Sequence, residues 1–80
     1  MRMYLIKQRF KCNLSIRKAA MLLGYDVHHY RRIETGDIKN PSFITLSKIG
    51  LLLQIPLKEL FDKEVEYLSF QNKNGSTEVL

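Results

Sequence analysis

From Met3 to Pro56 the chain is cut at short intervals by residues that start or stop helices, and every stretch between the cuts carries apolar side chains three and four positions apart. A sequence punctuated this way can bury its apolar side chains only by packing several short helices against one another. Leu5, Ile6, Arg9 and Phe10 mark a first helix over about Met3 to Lys11, ended by Asn13, a residue that tolerates the left-handed conformation found after many helices. Ser15 is placed to cap a second helix, Ile16 to Leu23, whose Ile16, Ala19, Ala20 and Leu23 form one face before Gly24 stops it. Asp26 is placed to cap a third helix, Val27 to Thr35, with Tyr30 and Ile33 turned inward and Gly36 at its end.

The segment Asp37-Ile38-Lys39-Asn40-Pro41 reads as a loop, since Pro41 disfavours a helical Asn40. A fourth helix begins at Pro41 or Ser42. Its expected core stripe is Phe43, Leu46, Ile49, Gly50 and Leu53, with Gly50 allowing a close helix contact. Pro56 opens a fifth helix to about Asp62 that buries Leu57, Leu60 and Phe61. Residues 63–80 form a C-terminal extension. Within it Val65 to Phe70 reads either as a short strand or as a continuation of helix five, and Asn74-Gly75 is a hairpin signal. The expected fold is therefore all-α, a compact five-helix domain over 1–62 with a short extension over 63–80.

Eighty residues leave room for one small domain and little for a deep catalytic cleft. Cys12 is the single cysteine, so no internal disulfide forms, and it reads as a small apolar residue of the interior. With no long apolar run and no leader pattern, the expected location is the cytoplasm. The net charge of +5 is unevenly spread. Residues 1–36 hold Arg2, Lys7, Arg9, Lys11, Arg17, Lys18, Arg31 and Arg32 against Asp26 and Glu34, a net of +6, and the remainder carries −1. A polyanion should therefore meet the N-terminal half.

Two short helices joined by the tight turn Gly24-Tyr25-Asp26, with small Ala19 and Ala20 at their contact, make a helix-turn-helix. Over residues 3–62 the chain resembles the Cro and phage-repressor (XRE) family. The resemblance is carried by Leu14-Ser15, Ala20, Leu23-Gly24, Asp26, Ile33-Glu34-Thr35-Gly36, Asn40-Pro41-Ser42, Leu46, Leu53 and Leu57 to Phe61, with no gap between them. It implies a sequence-specific transcriptional regulator, most often a repressor, that binds double-stranded DNA at a palindromic operator as a homodimer. No cofactor, metal or enzymatic activity is expected, since Cys12 and the histidines lack the spacing of a catalytic triad.

Carried over position by position, the resemblance assigns base reading to Val27, His28 and Arg32. His29 and Arg31 stand beside them, and Ser15, Arg17, Thr35, Lys39 and Asn40 fall at phosphate or supporting positions. Arg9 and Glu34 occupy places that form an ion pair in relatives. The side chains suit these tasks: arginine reads guanine O6 and N7 with two parallel hydrogen bonds, and valine packs on a thymine methyl. Ile16 stands where the family often has glutamine, and Lys18 where a capping box has an acid. His28 and His29 are adjacent and diverge on a helix, which argues against a metal site.

Met21, Leu22, Ile44 and Leu51 are apolar where relatives are mostly polar. Ile44 and Leu51 share one stripe, which either is covered by Val65, Tyr67, Leu68 and Phe70 of the tail or forms an interface with a second subunit or a protein partner. A contrasting functional reading follows from that stripe: a protein-interaction module, such as an antitoxin or an antagonist of another regulator.

Overall fold

The computed structural model describes the backbone of residues 1–75 and the side chains of residues 1–71. It contains α1 (Met3–Lys11), α2 (Ile16–Leu23), α3 (Val27–Thr35), α4 (Phe43–Leu53) and α5 (Leu57–Gly75), with no strand among the described residues.

The helix boundaries follow from local chemistry. Ser15 Oγ accepts the Lys18 N–H, Asp26 Oδ2 accepts those of His28 and His29, and Ser42 Oγ accepts that of Thr45. Each cap satisfies donors that the first turn of a helix leaves without a backbone partner. At the other ends, Asn13, Gly24 and Gln54 take the left-handed conformation. In each case the following N–H returns to a carbonyl five residues back, Leu14 to Arg9, Tyr25 to Ala20 and Ile55 to Gly50. Gly36 ends α3 with φ +95°.

Every helix contributes to one core, made of Leu5, Ala19, Ala20, Tyr30, Ile33, Leu46, Ile49, Leu53 and Leu60. Ala19 and Ala20 are fully enclosed between α2 and its neighbours, and α2 packs on both α3 and α4. Gly50 is a contact point for α5: a Cβ there would lie 2.8 Å from Leu60 Cδ2. Cys12 is half-buried, its thiol donating to the Leu53 carbonyl at 3.4 Å.

Two expected core residues, Phe43 and Leu57, lie outside, Phe43 being 63% exposed. Phe10 on the α1 stripe is 65% exposed, because the apolar stripe of each helix is wider than the face its neighbours cover. Phe43 is nonetheless stacked on Phe61, ring centroids 5.2 Å apart. Of the two readings for Val65 to Phe70, helix is the one found, and α5 runs on past Asp62 to include Asn74 and Gly75, so no hairpin turn forms at that pair. Among the described residues the tail does not cover the α4 stripe: Ile44 and Leu51 are 67% and 82% exposed, and Val65, Leu68 and Phe70 are exposed too.

The two left-handed glycines separate backbone strain from crowding. Nothing lies within 4 Å of a Cβ placed on Gly24, whereas one placed on Gly36 would meet the Tyr67 hydroxyl at 2.5 Å. Gly24→Ala is expected to cost about 1 kcal/mol from the left-handed backbone alone. Gly36→Ala should cost more. Urea midpoints should fall in the order wild type, Gly24→Ala, Gly36→Ala, and a reversed order of the two variants would contradict the packing of Tyr67 on Gly36.

Candidate nucleic-acid interface

The α3 helix has a buried side and an outward side. Tyr30, Ile33 and Glu34 are buried, and Val27 is half-buried against the core cluster. His28 and Arg32, one turn apart, are exposed together with His29 and Arg31. Thr35 is half-buried at the end of the same outward side; its hydroxyl donates to the Arg32 carbonyl and accepts the Asp37 N–H. Val27 thus presents less of itself to a ligand than His28 or Arg32. The His29 ring meets Tyr25 edge to face, centroids 5.6 Å apart, and Lys48 lies over the other partner of that pair, 5.4 Å from the Tyr25 ring.

Flanking this helix are the other positions singled out in the sequence. Ser15 and Arg17 are exposed at the start of α2, and Lys18 beside them adds a cation instead of the acid that completes a capping box. Lys39 and Asn40 are exposed in the loop after α3. Ile16 is half-buried in the core, so its place at the α2 start serves packing and offers no hydrogen bond.

Arg9 and Glu34 form a buried two-point ion pair, Nε to Oε2 at 2.7 Å and Nη2 to Oε1 at 3.1 Å, and Arg9 Nη1 also reaches the Leu14 carbonyl. The pair joins α1 to the last turn of α3. Hydrogen bonding to Glu34 pushes the Arg9 guanidinium above its already high range, so it stays charged. Burial, with Glu34 adding, holds the neighbouring Tyr30 phenol well above the usual phenol range and therefore neutral.

Arg2 is the residue that sequence reasoning misplaced. Counted toward the +6 of residues 1–36, it is fully buried, paired with Glu64 at 2.9 Å and hydrogen-bonded to the Ile33, Ile38 and Lys39 carbonyls. No local pattern signals a partner 62 positions away. Two of the eight cations in residues 1–36 are therefore neutralised inside the protein, along with Glu34. Lys7 and Lys11 line a groove between α1 and α5. The exposed cations on α3, at the start of α2 and in the loop after α3 are Arg17, Lys18, Arg31, Arg32 and Lys39, and Lys48 of α4 stands beside them over Tyr25.

Among the described residues no group of three or more His, Cys, Asp or Glu side chains is arranged to hold a metal, and no helix is long and apolar enough to cross a membrane. A capped α2, a three-residue turn and an α3 that exposes His28, His29, Arg31 and Arg32 define a helix-turn-helix protein. The match to the helix-turn-helix family extends over residues 5–60, and the chain belongs to that family, in its Cro/C1-type (XRE) branch of DNA-binding transcriptional regulators. No curated protein and no solved structure matches it.

Proposed function

We propose that the protein is a repressor that binds a palindromic operator as a homodimer, with α3 in the major groove. The observation that carries this reading is the pairing of His28 and Arg32, exposed on one side of a helix whose opposite side is locked into the core. In this arrangement Arg32 reads a guanine through O6 and N7, His28 meets a neighbouring base edge, and the accessible part of Val27 packs on a thymine methyl. Ser15, Arg17, His29, Arg31, Thr35, Lys39 and Asn40 contact or support the phosphate backbone, aided by the N–H groups at the start of α2. The Arg9–Glu34 pair fixes the orientation of α3 on α1. Residues 1–62 carry DNA binding, and repression follows from occupancy of promoter DNA.

Selection of bound sequences from random duplexes, with mass in solution measured alongside, tests this reading. Enrichment of a palindrome by a dimer is expected. Affinity should also fall steeply with salt, log K declining by about 0.9 per neutralised phosphate contact for each tenfold rise in salt. Binding that barely changes from low to moderate salt would remove the electrostatic basis of the reading.

A second reading rests on the exposed Ile44 and Leu51: a protein-interaction module, an antitoxin or an antagonist of another regulator. It predicts no sequence enrichment.

A further inference from the structure

The Arg2 side chain uses all of its hydrogen-bonding capacity in the interior. Its five guanidinium N–H groups are distributed between Glu64, reached from Nε at 3.0 Å and from Nη2 at 2.9 Å, and three backbone carbonyls. Nη1 donates to Ile33 O at 2.7 Å and Ile38 O at 2.9 Å, and Nη2 to Lys39 O at 3.1 Å. The Arg2 backbone N–H donates to Glu34 O at 2.8 Å. Two carbonyls in the last turn of α3, which have no partner within the helix, are thus closed by one residue, and its positive charge sits at the negative end of the helix.

On the other side the guanidinium is held by α5. Glu64 is buried and also accepts from the Tyr4 hydroxyl at 2.6 Å, and the guanidinium lies 4.7 Å from the centre of the Tyr67 ring. Tyr67 in turn presses its hydroxyl on Gly36, the first residue of the loop after α3. Glu64 and Tyr67 lie beyond the residues matched by the family. The part of α5 around Glu64 and Tyr67 is therefore tied to the loop that presents Lys39 and Asn40, through Arg2 and through the contact of Tyr67 with Gly36. A lysine here has three donors and no planar fork, so it cannot hold the carboxylate and three carbonyls at once.

We propose that Arg2 and Glu64 are positioning residues for DNA binding: the buried pair sets the path of the loop from Gly36 to Asn40, and so the placement of Lys39 and Asn40 against the phosphate backbone. The inference rests on the DNA-binding reading above and deepens it. It gives the extension of α5 a task, to hold the DNA-facing loop from behind.

The test compares full-length wild type, Glu64→Gln, Lys39→Ala and the double variant on a selected duplex and on a random one, below the melting temperature of each protein. Glu64→Gln should weaken binding to both duplexes by about tenfold at fixed salt, lower the slope of log K against log salt by about 1, and leave the preferred sequence unchanged. It should add little to Lys39→Ala, since both act through one contact. Backbone amide exchange at residues 37–40 should quicken. If Glu64→Gln does not fold, Arg2→Lys enters the same comparison. A lower melting temperature with affinity and salt slope unchanged, or losses that simply add to those of Lys39→Ala, would make the pair purely structural and overturn the inference alone. Failure of the wild type to bind either duplex would overturn the DNA-binding reading and the inference together.

Discussion

Glu34→Ala is expected to lower the free energy of unfolding by about 3 to 5 kcal/mol, because it leaves the Arg9 guanidinium buried without its counter-charge. Arg9 is 5% exposed and gives two of its donors to Glu34. The remaining bond to the Leu14 carbonyl does not neutralise it. A domain of this size has about 4 to 12 kcal/mol of stability in total, so the variant should lose a large fraction of it. The contrast with the double replacement Arg9→Met, Glu34→Leu is informative: apolar residues of similar volume remove both charges, and most of the loss should be recovered. Circular dichroism during urea unfolding measures both. A Glu34→Ala midpoint equal to that of the wild type would show that the pair contributes nothing.

Arg32→Ala is expected to cost about 1 to 3 kcal/mol of binding free energy on the selected duplex and to relax the preference at one base pair. On a random duplex the loss should be smaller, because a bidentate contact to guanine is made only where guanine is present. Arg32 is exposed and its carbonyl, unlike its guanidinium, is engaged in ending α3, so the truncation should leave the fold intact. Titrations of both duplexes with wild type and variant read the difference. An equal loss on the two would reassign Arg32 to a phosphate.

The first four helices were legible because their ends are written locally. Ser15, Asp26 and Ser42 cap, Asn13, Gly24 and Gly36 terminate, and each signal lies within a few residues of the backbone groups it satisfies. Gln54 is the exception: it takes a left-handed conformation that its residue type does not favour, and no sequence signal announced it. The length of α5 was not legible for a different reason. Val65 to Phe70 mixes apolar and polar residues in a way that fits either period, and the contacts that anchor this part of the helix, Glu64 and Tyr67 with Arg2, join opposite ends of the chain.

The same long-range pairing hid the true charge distribution. Arg2 looked like a surface cation because nothing beside it in sequence is acidic. Its burial, with that of Arg9, leaves Arg17, Lys18, Arg31, Arg32, Lys39 and Lys48 as the exposed cations on and beside α3, so the tally over residues 1–36 overstated the free positive charge. Apolar spacing, likewise, identified which helix faces point inward but not how far the cover extends, and so Phe43 and Leu57 were placed in a core that does not reach them.

If α3 and its flanks are the surface that meets DNA, backbone amide shifts followed by NMR during titration with a selected duplex should concentrate at residues 15–18, at 27–35 and at 37–40, with the solvent side of α4 around Ile44 and Leu51 unmoved. Shifts centred on that side of α4, with residues 27–35 silent, would show that DNA does not bind through α3.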